Sequence, residues 1–161
     1  SFNAGSLSGG IWNATGVLET RPLHDFTTTT IIETRCRNTG VGGNGAVLAI
    51  NADRSGGVHT TLMTYLQRQA DGTQTLTLLT RPTSNTTKAL FTRTRLSNDY
   101  VRLLLLIDAQ NNVVNLWIND EDQGAFTYST YTPLTNDRFL TLYADTSTAD
   151  FDFIEVRSTT N

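Results

Sequence analysis

Apolar and polar residues alternate one by one along much of this chain, and that two-residue period restricts the fold more than any other feature. In residues 28–38 (TTTIIETRCRN), Thr30, Ile32, Thr34 and Cys36 share one parity while Ile31, Glu33, Arg35 and Arg37 share the other. Residues 113–119 (VVNLWIN) sort the same way, with Val114, Leu116 and Ile118 against Val113, Asn115, Trp117 and Asn119. Successive side chains of a strand point to opposite faces, so each such segment predicts a strand with one greasy face and one wet face. Apolar residues at helical spacing (i, i+3, i+4, i+7) are nowhere sustained beyond two turns. The chain is therefore read as all-β.

Turn chemistry divides the rest into further strands. Residues 46–51 (AVLAIN) are apolar on both parities, as a central strand would be. Residues 59–68 and 73–81 flank Asp71-Gly72, a hairpin signal. Residues 82–87 read as a loop, 89–96 as a strand, and Ser97-Asn98-Asp99 as a turn. Residues 100–108 (YVRLLLLID) predict a strongly buried strand, followed by a tight turn at Asn111-Asn112 and an acidic turn over 120–124. Residues 125–128, 138–144 and 151–157 predict the closing strands. Ten to twelve strands at this spacing imply a two-sheet antiparallel β-sandwich, a jelly roll. With no internal repeat or linker, 161 residues fit one domain over 1–161.

Composition excludes several roles. Charged residues make up 17%, against about 25% in an average domain, and threonine fills the gap. The net charge of −3, with Lys88 the one lysine, lacks the basic excess of a nucleic-acid binder. No apolar run approaches the roughly 20 residues of a membrane-spanning helix, and the longest, 103–107, is strand-sized. Cys36 has no partner for an internal disulfide and is expected to be a small buried hydrophobe. The sequence begins at Ser1 rather than Met, which we read as a mature or trimmed form of an extracellular or secreted protein. Asn13-Ala-Thr15 and Asn85-Thr-Thr87 match the glycosylation sequon, though chance matches are expected in so threonine-rich a chain.

The second half carries a specific layout: 100–108 ending in Asp108, the Asn111-Asn112 turn, VVNLWIN, an acidic Gly-ended turn, FLTLY at 139–143, and a final DFDFIEVR at 150–157. Over residues 100–157 this resembles the C-terminal half of concanavalin A-like lectin/glucanase domains, including laminin-G-like modules. The resemblance implies a sandwich of fourteen or so strands. Members bind oligosaccharides, hydrolyse glucans, or act as structural and adhesive modules, so fold does not decide function. Structural calcium is common in the superfamily, and Asp120, Glu121 and Asp122 are the residues here that would offer oxygen ligands, without any fixed loop pattern.

A glycoside hydrolase needs two carboxylates facing one cleft. Laminarinase-like glucanases carry Glu-x-Asp-x-x-Glu, and Asp150-Phe-Asp152-Phe-Ile-Glu155 is similar in spacing. Here it lies in the final strand rather than mid-chain, begins with Asp, and lacks an accompanying Trp or Met. Unless a bulge intervenes, Asp152 and Glu155 point to opposite faces. Serine-triad, zinc and phosphate-loop patterns are missing; His24 and His59 are the two histidines.

A sugar presents an apolar face and a ring of hydroxyls, so its site needs an aromatic platform beside planar polar groups. Trp117, flanked on its parity by Asn115 and Asn119, is the best platform candidate; the alternative is that it fills the core or lies under a loop. Glu33, Arg35 and Arg37 form either a solvated outer sheet face or the polar floor of a site, where the arginine forks would suit acidic or fructan-type sugars. Tyr65 and Gln67, with His59, form a third set, and Tyr128 and Tyr131 would border a groove. The expectation is a carbohydrate-binding module that takes an oligo- or polysaccharide, needs no cofactor and is not an enzyme. The alternatives are a self-assembling structural or adhesive subunit, such as a phage or capsid decoration or an extracellular filament, and then a hydrolase using Asp150, Asp152 and Glu155.

Overall fold

The computed structural model describes residues 5–8, 11–15, 17–19, 29–51, 60–83, 86–129, 139–144 and 146–158. Among them thirteen strands stand: β1 (Gly5–Ser8), β2 (Ile11–Ala14), β3 (Val17–Glu19), β4 (Thr30–Asn38), β5 (Asn44–Asn51), β6 (Thr60–Arg68), β7 (Gln74–Thr83), β8 (Thr86–Leu96), β9 (Val101–Asp108), β10 (Val113–Ile118), β11 (Glu121–Thr127), β12 (Phe139–Ala144) and β13 (Ala149–Ser158). They form a seven-stranded sheet, β1-β2-β13-β4-β9-β10-β11, and a six-stranded sheet, β3-β12-β5-β6-β7-β8. Consecutive hairpins build β5 to β8 and β9 to β11, while the chain changes sheet between β2 and β3, β3 and β4, β4 and β5, β8 and β9, β11 and β12, and β12 and β13, as a jelly roll requires.

The core lies between the sheets and follows the alternation. Val101, Leu103, Leu105 and Ile107 of β9 and Val114, Leu116 and Ile118 of β10 point inward, none more than 2% exposed. They meet Leu48, Ile50, Leu62, Leu66, Leu76, Leu78 and Leu142 of the other sheet. Each such burial contributes roughly 1.5–3 kcal/mol before entropy is subtracted. Cys36 faces this core, and burial pushes its thiol up to about 12. The β5 strand is buried on both faces: Ala46, Leu48 and Ile50 join the core, while Val47 and Ala49 form a second cluster with Met63 on the outer side of the six-stranded sheet.

Two buried amides tie the sheets together. At the end of β4, Asn38 Nδ2 donates to the carbonyls of Gly43 (3.1 Å) and Leu66 (3.2 Å). Its Oδ1 accepts from Gly40 N and Ser147 Oγ, both at 3.0 Å. The Asn38 backbone N–H donates to Gln74 Oε1 on β7, whose Nε2 donates to the carbonyls of Ser97 and Asp99. Gly45 must lack a side chain here, because a Cβ would lie 1.9 Å from Asn38 Cγ.

Several local expectations are corrected. The loop expected over 82–87 is shorter, since β7 runs to Thr83 and β8 begins at Thr86. The acidic turn expected over 120–124 lies at Asn119-Asp120, both at positive φ, as a two-residue hairpin of the right-handed twist demands. Glu121 and Asp122 therefore belong to β11. The hairpin between β9 and β10 is not a two-residue turn: Asp108 pairs with Val113 across the four residues 109–112. The Asp108 carboxylate holds it, accepting from the Asn111 side chain and the backbone N–H groups of Gln110 and Asn111, and those bonds keep its pKa below the ordinary carboxylate range. Tyr128, expected at a groove, is core, 2% exposed.

Candidate functional site

Trp117 stands on the outer face of the seven-stranded sheet, as its parity requires, with its neighbours Leu116 and Ile118 turned into the core. Register sets Leu104 of β9 and Asp122 of β11 directly opposite it. The β10–β11 ladder shifts between Leu116 and Trp117, with Gly124 at φ 100°. A bulge of this kind re-aims side chains and is frequent beside binding sites. The half-buried indole, Leu104, Arg102 and Asp120 line a hollow of about 230 Å³.

The polar wall of the hollow is built by ion pairs. Arg102 directs Nε and Nη2 onto Glu33 Oε1, each at 2.7 Å, and Nη1 onto Asp120. The hydrogen bond that Arg102 donates to Glu33, more than any other influence, holds the Arg102 pKa above its ordinary value. Glu33 also receives Arg157 Nη2 at 3.0 Å on its other oxygen. At 7% exposure it is the buried pivot of the network. Asn119 is spent on the turn, its Oδ1 accepting from the Arg102 backbone N–H at 2.9 Å. Asn115 lies two positions along the strand, opposite Leu106 and Ala125.

Arg35 and Arg37, expected on a solvated face or a polar floor, are each paired with a carboxylate of β13. Arg35 binds Asp152 at 3.1 Å and Arg37 binds Asp150 at 2.7 Å. Both guanidiniums sit over the Tyr100 ring, 4.9 and 4.7 Å from its centroid, a favourable cation–π geometry. The hydrogen bond to Asp150 raises the Arg37 pKa, and burial raises that of Tyr100. Arg35 Nη1 and Arg37 Nε and Nη2 are thus engaged within the chain, while both side chains stay partly exposed on the sheet face.

The eight expected ligand residues thus separate. Trp117, Asn115, Asn119, Glu33, Arg35 and Arg37 share one sheet face. Tyr65 and Gln67 lie on the outer face of the other sheet, where Tyr65 packs against Val47, Ala49 and Met63. His24, His59, Tyr131 and Asn85 fall outside the described residues, as do the side chains of Trp12 and Asn13, which lie in β2. Arg102 and Leu104 went unnoticed in the sequence because they sit within an apolar run read as wholly buried. Their alternation with Leu103 and Leu105 is the signal that would have found them.

The remaining candidates are also relocated. Asp150, Asp152 and Glu155 come to one face after all, because β13 carries a bulge between Phe151 and Phe153 that reverses the parity beyond it and brings Glu155 to the outer face with Asp150 and Asp152. Each meets an arginine: Arg37, Arg35 and, at 3.3 Å, Arg157. None of the three lines the Trp117 hollow. The possible calcium ligands diverge: Asp120 goes to Arg102, Glu121 to Arg93 on β8, and Asp122 accepts from Gly124 N. Among the described residues no three His, Cys, Asp or Glu groups converge on a metal position.

No family model matches the chain, and no curated protein sequence does. Solved structures do match over nearly its whole length. The carbohydrate recognition domain of Emp47p is 11% identical with a TM-score of 0.68, covering 97% of this chain and 86% of that one. An alginate lyase from Pseudomonas aeruginosa is 10% identical with a TM-score of 0.66, covering 98% and 86%. The carbohydrate-binding module CBM66 from Bacillus subtilis is 9% identical with a TM-score of 0.62, covering 96% and 91%. At these identities the likeness speaks for the fold, and together with the two-sheet topology it establishes that this chain has the concanavalin A-like jelly-roll fold.

Proposed function

We propose that this chain binds carbohydrate without altering it, and that the hollow beside Trp117 is where a sugar ring sits. The observation that carries this reading is an indole on an outer sheet face, half-buried, beside a guanidinium and an exposed carboxylate. The apolar face of a pyranose packs on such a ring, and its hydroxyls bond to the planar polar groups at the side. A hollow of about 230 Å³ is smaller than the roughly 300–1,000 Å³ that encloses a drug-sized ligand, so it suits one sugar unit of a chain that runs on across the sheet.

The carboxylates favour binding over hydrolysis. Each of Asp150, Asp152 and Glu155 is taken up by an arginine rather than presented to the hollow. The structural neighbours include two carbohydrate-binding domains, which supports the reading, and a lyase, which makes turnover a fair question to put to the protein. Presented to a glycan array and then incubated with every bound polysaccharide, the chain is expected to retain at least one glycan and to release neither reducing ends nor unsaturated products. Product release abolished by Asp152→Asn would make it an enzyme. Failure to bind any glycan would leave the assembly reading in its place.

A further inference from the structure

We propose that the Trp117 hollow takes a neutral sugar unit and discriminates against uronates and other anionic glycans; this rests on the reading of the hollow as a glycan site. Recognition of a carboxylate calls for a guanidinium edge with two parallel N–H donors to spare. Arg102 is the guanidinium of the hollow, and its Nε–Nη2 edge, the side-on fork a carboxylate would take, is already occupied. Its Nε and Nη2 are both directed to Glu33, and Nη1 is directed to Asp120. An incoming carboxylate would approach a guanidinium that already holds two carboxylates, and Glu33 is itself pinned by Arg157.

The charge around the hollow points the same way. Among the described residues of this face, Arg35, Arg37, Arg102 and Arg157 are joined in ion pairs to Glu33, Asp120, Asp150, Asp152 and Glu155, one carboxylate more than the guanidiniums balance. Asp122, opposite Trp117 in the ladder, adds another. The Asp120 side chain is 74% exposed. An exposed carboxylate accepts from sugar hydroxyls and repels an anion. A neutral hexose supplies hydroxyl donors for Asp120 and an apolar face for the indole, with no charge to place among carboxylates.

The test is an array of paired oligosaccharides that share a backbone and differ in carboxylation: manno-oligosaccharides against oligomannuronates, cello-oligosaccharides against their C6-oxidised forms, and methyl-esterified against free oligogalacturonates. In at least one pair the neutral member is expected to bind about tenfold tighter, the discrimination that one like-charge contact at a protein surface supplies. That binding should change less than about twofold between about 50 and 500 mM salt, since no ligand charge is screened. Asp120→Asn, at an exposed turn, should narrow the ratio within that pair. Equal or tighter binding of the carboxylated members overturns the proposal while leaving glycan binding intact, and so does an unchanged ratio in Asp120→Asn. Silence from every pair overturns the glycan-site reading itself.

Discussion

Trp117→Ala is expected to weaken glycan binding by about thirtyfold, the ~2 kcal/mol scale on which a central aromatic anchor acts. The indole forms one wall of the hollow and has no substitute there, since Leu104 opposite it offers neither a flat face nor comparable area. The fold should persist. Trp117 points out of the sandwich, and the core beneath it is held by Leu116 and Ile118, which the substitution leaves untouched. Far-UV circular dichroism and the thermal midpoint should accordingly stay close to the parent protein. Trp117→Phe keeps a smaller platform and should recover most of the affinity, because stacking depends on the ring face rather than on the indole N–H. Unaltered affinity in Trp117→Ala, measured by calorimetry on a folded variant, would remove the platform from the proposal.

Asn38→Ala is expected to cost about 3 kcal/mol of stability, because buried groups that lose their partners carry a desolvation penalty of roughly 1–3 kcal/mol each and such penalties add imperfectly. The amide satisfies all of its donors and acceptors in one place: the carbonyls of Gly43 and Leu66 on one side, Gly40 N and Ser147 Oγ on the other. Alanine abandons all four and opens space against Gly45, whose bare backbone exists to admit that side chain. For a chain of this size the thermal midpoint should fall by about 10 °C. Asn38→Asp should be no better, since it keeps the acceptors, loses both Nδ2 donors and brings a charge into a buried position. Denaturation midpoints within error of the parent would mean that the two sheets do not depend on this clip. Glycan affinity of the surviving folded fraction should be unchanged, because Asn38 does not line the hollow.

The alternation of residues is a local property, and what depends on it was legible in the sequence. The faces of β4 and β10, the buried thiol of Cys36, the outward Trp117 and the doubly buried β5 all follow from parity, which the pleat imposes without reference to a partner strand. What depends on partners was not legible. Arg37 meets Asp150 and Arg102 meets Glu33 across 113 and 69 residues, and nothing near either arginine in the chain announces its carboxylate. The bulge in β13 breaks the parity rule at the one point where the rule had separated Asp152 from Glu155. The β9–β10 hairpin shows how a small error spreads. A two-residue turn at Asn111-Asn112 would pair Trp117 with Leu106, whereas the actual loop over 109–112 moves the pairing to Leu104, next to Arg102. Both pairings keep Trp117 on the outer face, so parity survives the error. The neighbour does not, and the neighbours decide what the indole can bind.

Two outer faces carry aromatic side chains: Trp117 and Phe153 on the seven-stranded sheet, Tyr65 and Tyr143 on the six-stranded one. Chemical-shift mapping of the ¹⁵N-labelled protein with the tightest-binding oligosaccharide separates them. The largest changes are expected at the Trp117 indole N–H and at the backbone amides of Arg102, Leu104 and Asp120. Changes gathered on Tyr65, Gln67 and Tyr143, with the Trp117 signals unmoved, would contradict the assignment of the sugar to the hollow.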